Sequence, residues 1–240
     1  MDLHLPYTAI LSLEGPDTID LLDRVVTCSV GDLQTGASRL GALLTPQGKI
    51  IADFVLTRTE SGCSLAVHPD AIDTLEKRLT LFRLRADVQI SRGDHLDIST
   101  DNAARVAAGQ PAFGLDFGEA DVFPTDINLD LFGGIDYNKG CFVGQEVVSR
   151  MYRRGKIRKR TVTLHGADLM SGLEVRAGGK LLGKVTSVDG EYALAILRID
   201  NLAKALTADS DIVAGDTPVS IVQPDWLEEE MTALGAGENV

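Results

Sequence analysis

Lys139-Gly140-Cys141-Phe142-Val143-Gly144-Gln145-Glu146 is the stretch on which the reading of this chain turns. It sets a thiol between an ammonium and a carboxylate, with glycines at 140 and 144 that permit tight turns and close backbone approach. An adjacent ammonium lowers a thiol's pKa, so Lys139 and Cys141 are expected to act as a reactive pair. Gln145 and Glu146 offer hydrogen-bonding groups for a heteroaromatic ring or an amine. A basic run follows at once: seven of the eleven positions 150–160 are Arg or Lys (Arg150, Arg153, Arg154, Lys156, Arg158, Lys159, Arg160).

That run is a local exception in a chain of net charge −12. The acidic balance argues against nucleic-acid or anionic-membrane binding over the whole surface, and leaves room for one anion site. At 240 residues the chain can form one large domain or two or three small ones. An apolar content of 44% is that of a globular protein with a core, and no apolar run is long enough for a transmembrane helix. The beginning, Met1-Asp2-Leu3-His4-Leu5-Pro6, lacks the basic and apolar segments of a signal peptide. Three widely spaced cysteines (Cys28, Cys63, Cys141) do not make a disulfide framework, and a reducing cytoplasm is expected.

Working outward, Tyr7–Leu13 alternates as a strand, and residues 17–26 carry the apolar spacing of a short helix with Asp17 near its cap. Arg39–Leu44 and Lys49–Thr57 read as strands joined by Thr45-Pro46-Gln47-Gly48. Ser64–His68 is a further strand, Asp70–Phe82 a helix and Ala86–Ser91 a strand, so a ferredoxin-like α+β unit is expected at about 45–95. Residues 100–135, rich in Gly, Pro, Asp and Ala, predict irregular structure, and Gln145–Met151 begins a helix. From Thr161 to Val222, short alternating runs (161–165, 173–177, 180–188, 191–198, 217–222) between Gly/Asp turns predict an antiparallel barrel or sandwich. The expected domains are therefore 1–155, 160–223 and a frayed acidic tail, 224–240.

Gly178–Lys184 nearly spells a phosphate-binding loop, but Val185 stands where a hydroxyl is required and the segment alternates like a hairpin. His4, His68, His95 and His165 are isolated and no Cys-x-x-Cys occurs, so no metal site is expected. No nucleophile elbow is present. Asp53, a carboxylate in an apolar strand, reads equally as a solvent-facing residue or as a ligand group held on a rigid strand. The arginines after the octapeptide form a solvated face, a clamp for carboxylates or phosphates, or a nucleic-acid patch. Tyr152 is the one aromatic within that run, too few for the last option.

Lys139–Glu146 closely resembles the K-G-C-[YF]-x-G-Q-E signature of the YgfZ family, folate-binding relatives of the glycine-cleavage T-protein, an aminomethyltransferase. Similar elements run through most of residues 5–222. Leu21–Leu33 resembles an early helix and turn, and Leu44–Leu56 the strand pair ending in aspartate. Leu79–Val88 and Phe113-Gly114-Leu115-Asp116 resemble two further motifs, and Gly183–Ser187 with Ala193–Arg198 the C-terminal barrel. The resemblance implies an α+β fold: small modules in a ring, closed by an antiparallel C-terminal β-barrel. It also implies tetrahydrofolate in the central hole and a role in maturing or repairing iron–sulfur enzymes, whose clients and assembly factors would be partners.

On that resemblance the pterin is expected against Asp53, Asp116 or Asp126, with Gln145 and Glu146 nearby. The glutamate tail would run towards Arg150, Arg153 and Arg154, and Cys141 would be the signature thiol. The chain departs from the pattern at three places: Ala52 replaces the first of the T-proteins' two aspartates, Asp126 is shorter than the family's glutamate, and Phe142 replaces tyrosine. A folate-dependent aminomethyltransferase or demethylase, and an anion- or RNA-binding adaptor using residues 150–160, are the alternatives.

Overall fold

The structure, a computed structural model, describes residues 4–95, 101–155, 157–222 and 226–227. The chain divides into two compact units, residues 5–100 with 112–156, and residues 1–4 with 101–111 and 157–240.

The first unit is built on a five-stranded antiparallel sheet. Its strands are β1 (Ala9–Glu14), β2 (Ser38–Leu44), β3 (Ile50–Arg58), β4 (Gly62–Val67) and β5 (Gln89–Arg92), in the order β2-β3-β4-β1-β5. Helices α1 (Thr18–Val25) and α2 (Ile72–Arg83) bury Leu21, Leu22, Leu75 and Leu79. Without the added edge strand β2, the succession β1-α1-β3-β4-α2-β5 and its sheet order are those of a ferredoxin-like unit. The unit begins earlier than the expected residue 45, because β1 pairs with both β4 and β5 across long sequence separations. Asp17 does stand at the start of α1, but its carboxylate accepts from Asp87 N–H (2.7 Å) rather than capping the helix.

Irregular structure was expected through 100–135, and the chain there holds a helix α3 (Asn102–Ala107) and a 3-10 turn (Pro124–Ile127). The octapeptide leads into α4 (Gln145–Arg153), whose start packs on the β2–β3 turn. Gly144 has φ 80°, and a Cβ there would lie 2.6 Å from Thr45 O, so the close approach requires glycine.

The second unit carries a seven-stranded antiparallel sheet: β6 (Lys159–His165), β7 (Glu174–Ala177), β8 (Lys180–Asp189), β9 (Tyr192–Arg198), β10 (Ile212–Ala214), β11 (Thr217–Pro218) and β12 (Ser220–Val222). The near phosphate-binding loop is the turn and first residues of the β7–β8 hairpin. A helix unforeseen from the sequence, α5 (Ile199–Thr207), follows β9 and buries Ile199 and Leu202 in the sheet's core. Leu227 is also buried in that core and Trp226 packs against it, so these two residues of the supposed frayed tail are structural. Residues 228–240 lie outside the described residues. No helix among the described residues is long and apolar enough to cross a membrane.

Candidate functional site

The β3–β4–β1 register gathers the first cluster. Phe54 faces Val67 and Val67 faces Ala9, so Asp53, His68 and Tyr7 fall at the same end of the sheet. Asp53 is 2% exposed. Its Oδ2 accepts a short hydrogen bond from the Tyr7 hydroxyl, and its Oδ1 is buried with no hydrogen-bond partner. The Tyr7 oxygen in turn accepts from Phe113 N–H (3.3 Å). Burial pushes the Asp53 carboxyl up to about 7, against the pull of the Tyr7 hydrogen bond, and the nearby Asp116 carboxylate adds to the rise. Tyr7 is pushed up by the same burial and by Asp53.

Asp116 arrives on a turn, where its Oδ2 accepts from Ala112 N–H (2.9 Å). Gly114, in that turn, lies flat against the His68 ring: φ is 79°, and a Cβ would come within 2.6 Å of the imidazole. Burial lowers the His68 pKa. Asp53 and Asp116 are thus brought together, and the reading of Asp53 as a solvent-facing strand residue is excluded. Tyr7 and His68 complete the cluster. Tyr7 was read only as strand and His68 as isolated, since the pairing of residues 46 and 106 positions apart has no local signal. Asp126 serves its own 3-10 turn, accepting from Phe123 N–H (3.0 Å).

Lys139 was expected to pair with Cys141, but its hydrogen bonds are made elsewhere. Its Nζ donates to Cys28 O (2.6 Å) and Val26 O (3.0 Å) and lies 3.5 Å from Asp23 Oδ1. Two carbonyls and a carboxylate satisfy an ammonium's three donors better than one thiol could. The same joint is reinforced at Thr27, whose hydroxyl donates to Gly134 O (2.6 Å) and accepts from Ala42 N–H (2.9 Å), and whose carbonyl receives Asp136 N–H (3.0 Å). The cysteines divide by burial: Cys28 and Cys63 are enclosed, Cys28 with its thiol pushed up to about 12, whereas Cys141 is exposed.

The basic run is divided between the two units. Arg150, Arg153 and Arg154 line a depression of about 450 Å³ with Gln145, Glu146 and Ser149. Arg158, Lys159 and Arg160 belong to the other unit, where Arg160 is buried with its guanidinium 5.9 Å from the Trp226 ring centre. Lys156 lies outside the described residues. Beside the depression, Tyr152 of α4 stacks on Tyr137 (4.0 Å between ring centres). Among the described residues no group of three or more His, Cys, Asp or Glu side chains is placed to hold a metal ion.

With this geometry in view, residues 158–229 match the C-terminal beta-barrel domain of CAF17. The chain is 32% identical over 148 residues to "Iron-sulfur cluster assembly factor IBA57, mitochondrial" of Mus musculus, a match covering 57% of this chain and 40% of that protein. It is 39% identical over 70 residues to the Coccidioides immitis IBA57 homologue, covering 29% and 16%. At 22% identity the Pyricularia oryzae homologue matches over 95% of this chain and 85% of its own. The chain thus spans less than half the length of the first two. Among solved structures it is similar to the glycine cleavage system aminomethyltransferase T of Bartonella henselae, with TM-score 0.73 and 16% identity over 93% of this chain and 85% of that one.

The expected cytoplasmic location does not stand, because the named relatives are mitochondrial proteins. Unpaired cysteines, on which that expectation rested, do not distinguish the two compartments. The relatives carry the IBA57 name rather than that of the YgfZ family. The chain has the aminomethyltransferase-like α+β fold with a C-terminal β-barrel domain of the CAF17 type, and its sequence relatives are iron–sulfur cluster assembly factors.

Proposed function

We propose that this chain is a tetrahydrofolate-binding accessory protein for the maturation or repair of iron–sulfur enzymes, functionally of the YgfZ kind. One observation carries the ligand half of the reading: Asp53 keeps a buried carboxylate oxygen, Oδ1, without a partner. Such an atom is costly unless a donor reaches it. The fused aminopyrimidine of a pterin presents adjacent N–H donors, so the residues present fit the group. Asp53 would take those donors while Tyr7 holds its other oxygen, and Arg150, Arg153 and Arg154 would take the tail carboxylates. Bound tetrahydrofolate would supply a reduced pterin able to carry a one-carbon unit. The iron–sulfur half is supported by the names of the relatives. Cys141, exposed just ahead of α4, is the thiol available to a client protein or its cluster.

Ala52 stands beside Asp53 where the T-proteins are expected to have a first aspartate. A single carboxylate serves binding better than aminomethyl transfer. Anaerobic calorimetry with tetrahydrofolate tests the reading. Saturable binding near one per chain is expected, weakened at least about tenfold in Asp53→Asn, whose amide turns a donor towards the ligand's donors. Wild-type protein that takes up no folate would end the proposal. Turnover with a methylated or aminomethyl donor would instead establish a transferase.

A further inference from the structure

Helix α2 ends in a turn that glycine would fit better than the residue it holds. The Ala86 N–H donates to the Arg83 carbonyl (2.8 Å), and Leu84, the first of the two residues between them, has φ 48° and ψ −106°. This is type II′ geometry, whose first central position calls for glycine. A leucine held there is strained. Burial does not compensate, since Leu84 is 86% exposed. Leu81, one position before the last turn of α2 closes, is 60% exposed. A strained backbone that displays an apolar side chain in water stabilises neither the turn nor the sheet behind it, and so points to a contact outside the chain.

Beside Leu84 lies a depression of about 520 Å³ between α1 and this turn. Leu21, Val25 and Phe82 give it an apolar lining. Asp17 and Arg83, which also line it, serve the fold: Asp17 accepts from Asp87 N–H (2.7 Å) and Arg83 donates to Val88 O (3.2 Å). The exposed charges are of both signs, Asp20 and Arg24 on α1 and Arg85 on the turn. We propose that this surface pairs with itself: two copies of the chain associate about a two-fold axis, each placing its Leu84 in the other's depression. A knob and a hole side by side on one patch are made complementary by a two-fold rotation. Arg85 travels with Leu84 towards the other copy's α1, where Asp20 meets it. An anionic membrane or an acidic segment would suit the arginines but set Asp20 against like charge. The patch is smaller than a standard interface of roughly 800 Å² per partner, so the association is weak, with a Kd on the order of 100 µM. This inference does not depend on the folate reading.

The test is sedimentation equilibrium of the full chain from about 10 µM to about 1 mM, a range that brackets the expected Kd. Wild type is expected to shift reversibly from monomer towards dimer. Leu84→Gly suits the turn and keeps the fold, yet should weaken the dimer at least about tenfold by removing the knob. Asp20→Arg and Arg85→Asp should each leave a monomer, because like charges then face each other. An equimolar mixture of these two variants should dimerise again, since each reversed charge meets a reversed partner. Thermal unfolding of each variant checks that it is folded. A wild-type chain that stays monomeric throughout overturns the inference. So does a dimer that Leu84→Gly leaves unchanged, which would place the contact elsewhere, and so does a mixture of the charge variants that remains monomeric.

Discussion

At Asp53, protonation and folding are coupled. The folded carboxyl holds its proton up to about pH 7, whereas an unfolded aspartate releases it near ~3.9. Between those values the folded chain binds more protons than the unfolded one, so this group's contribution to stability falls as pH rises. Asp53→Asn removes that slope. Its stability relative to wild type should therefore improve from pH 5 to pH 8, by on the order of 2 kcal/mol, and parallel urea midpoints across that range would refute the assignment. Pairing with ligand N–H groups favours the ionised form, so tetrahydrofolate binding should release protons near pH 7, read as heats that depend on the buffer's ionisation enthalpy. Tyr7→Phe strips Asp53 of its donor and leaves Phe113 N–H without its acceptor, an expected loss of about 1–3 kcal/mol in denaturant unfolding. Asp53 was visible in the sequence as a carboxylate within an apolar strand. Its burial was not, because that depends on Tyr7 and the 112–116 turn, which reach it only through the assembled sheet.

Among the elements, the loop before α4 owes its position to Lys139 and Thr27 rather than to its own sequence. Lys139→Met keeps the aliphatic stem but strands the Val26 and Cys28 carbonyls and removes the ammonium beside Asp23, which keeps its Val30 and Gly31 N–H donors. A loss of about 2–4 kcal/mol is expected, with faster hydrogen exchange confined to 26–28 and 134–141. Faster reaction of the Cys28 thiol with a thiol reagent would report the same opening, since that thiol is buried in the native state. If Lys139 served the Cys141 thiol, the variant would instead slow Cys141 alkylation and leave stability alone. The octapeptide's glycine and helix were legible: Gly144 takes the left-handed conformation and α4 starts at Gln145. The direction of Lys139 was not legible, because its acceptors lie 111 and 113 residues away, whereas sequence adjacency pointed to Cys141.

For the whole molecule, the boundary between units shows where a linear reading fails. The expected partition assigned everything up to residue 155 to one domain, but residues 101–111 cluster with the barrel unit. The reason is α3. Asn102 Nδ2 donates to Val188 O (3.2 Å) and Asp189 Oδ2 (2.9 Å), Val106 is fully buried, and the Val106 carbonyl accepts from the Thr163 hydroxyl (3.3 Å). Arg105, buried beside them, donates to Gln110 O (2.9 Å) and Asn102 Oδ1 (2.9 Å). A six-residue helix of one asparagine, three alanines, one arginine and one valine is too short for its period to announce itself, and its large apolar residue is Val106 alone. Strands β6 to β9 were legible because each alternates over four or more positions between glycine or aspartate turns, whereas β10, only three residues long, was not read. If α3 belongs to the barrel unit, Val106→Ala should destabilise that unit by about 1–3 kcal/mol through the cavity it leaves. Hydrogen exchange should then quicken in β6, β8 and β9 while β1–β5 keep their protection. Loss of protection in the five-stranded sheet instead would mean that residues 101–111 stabilise the first unit, and the domain boundary would return to the junction near residue 157.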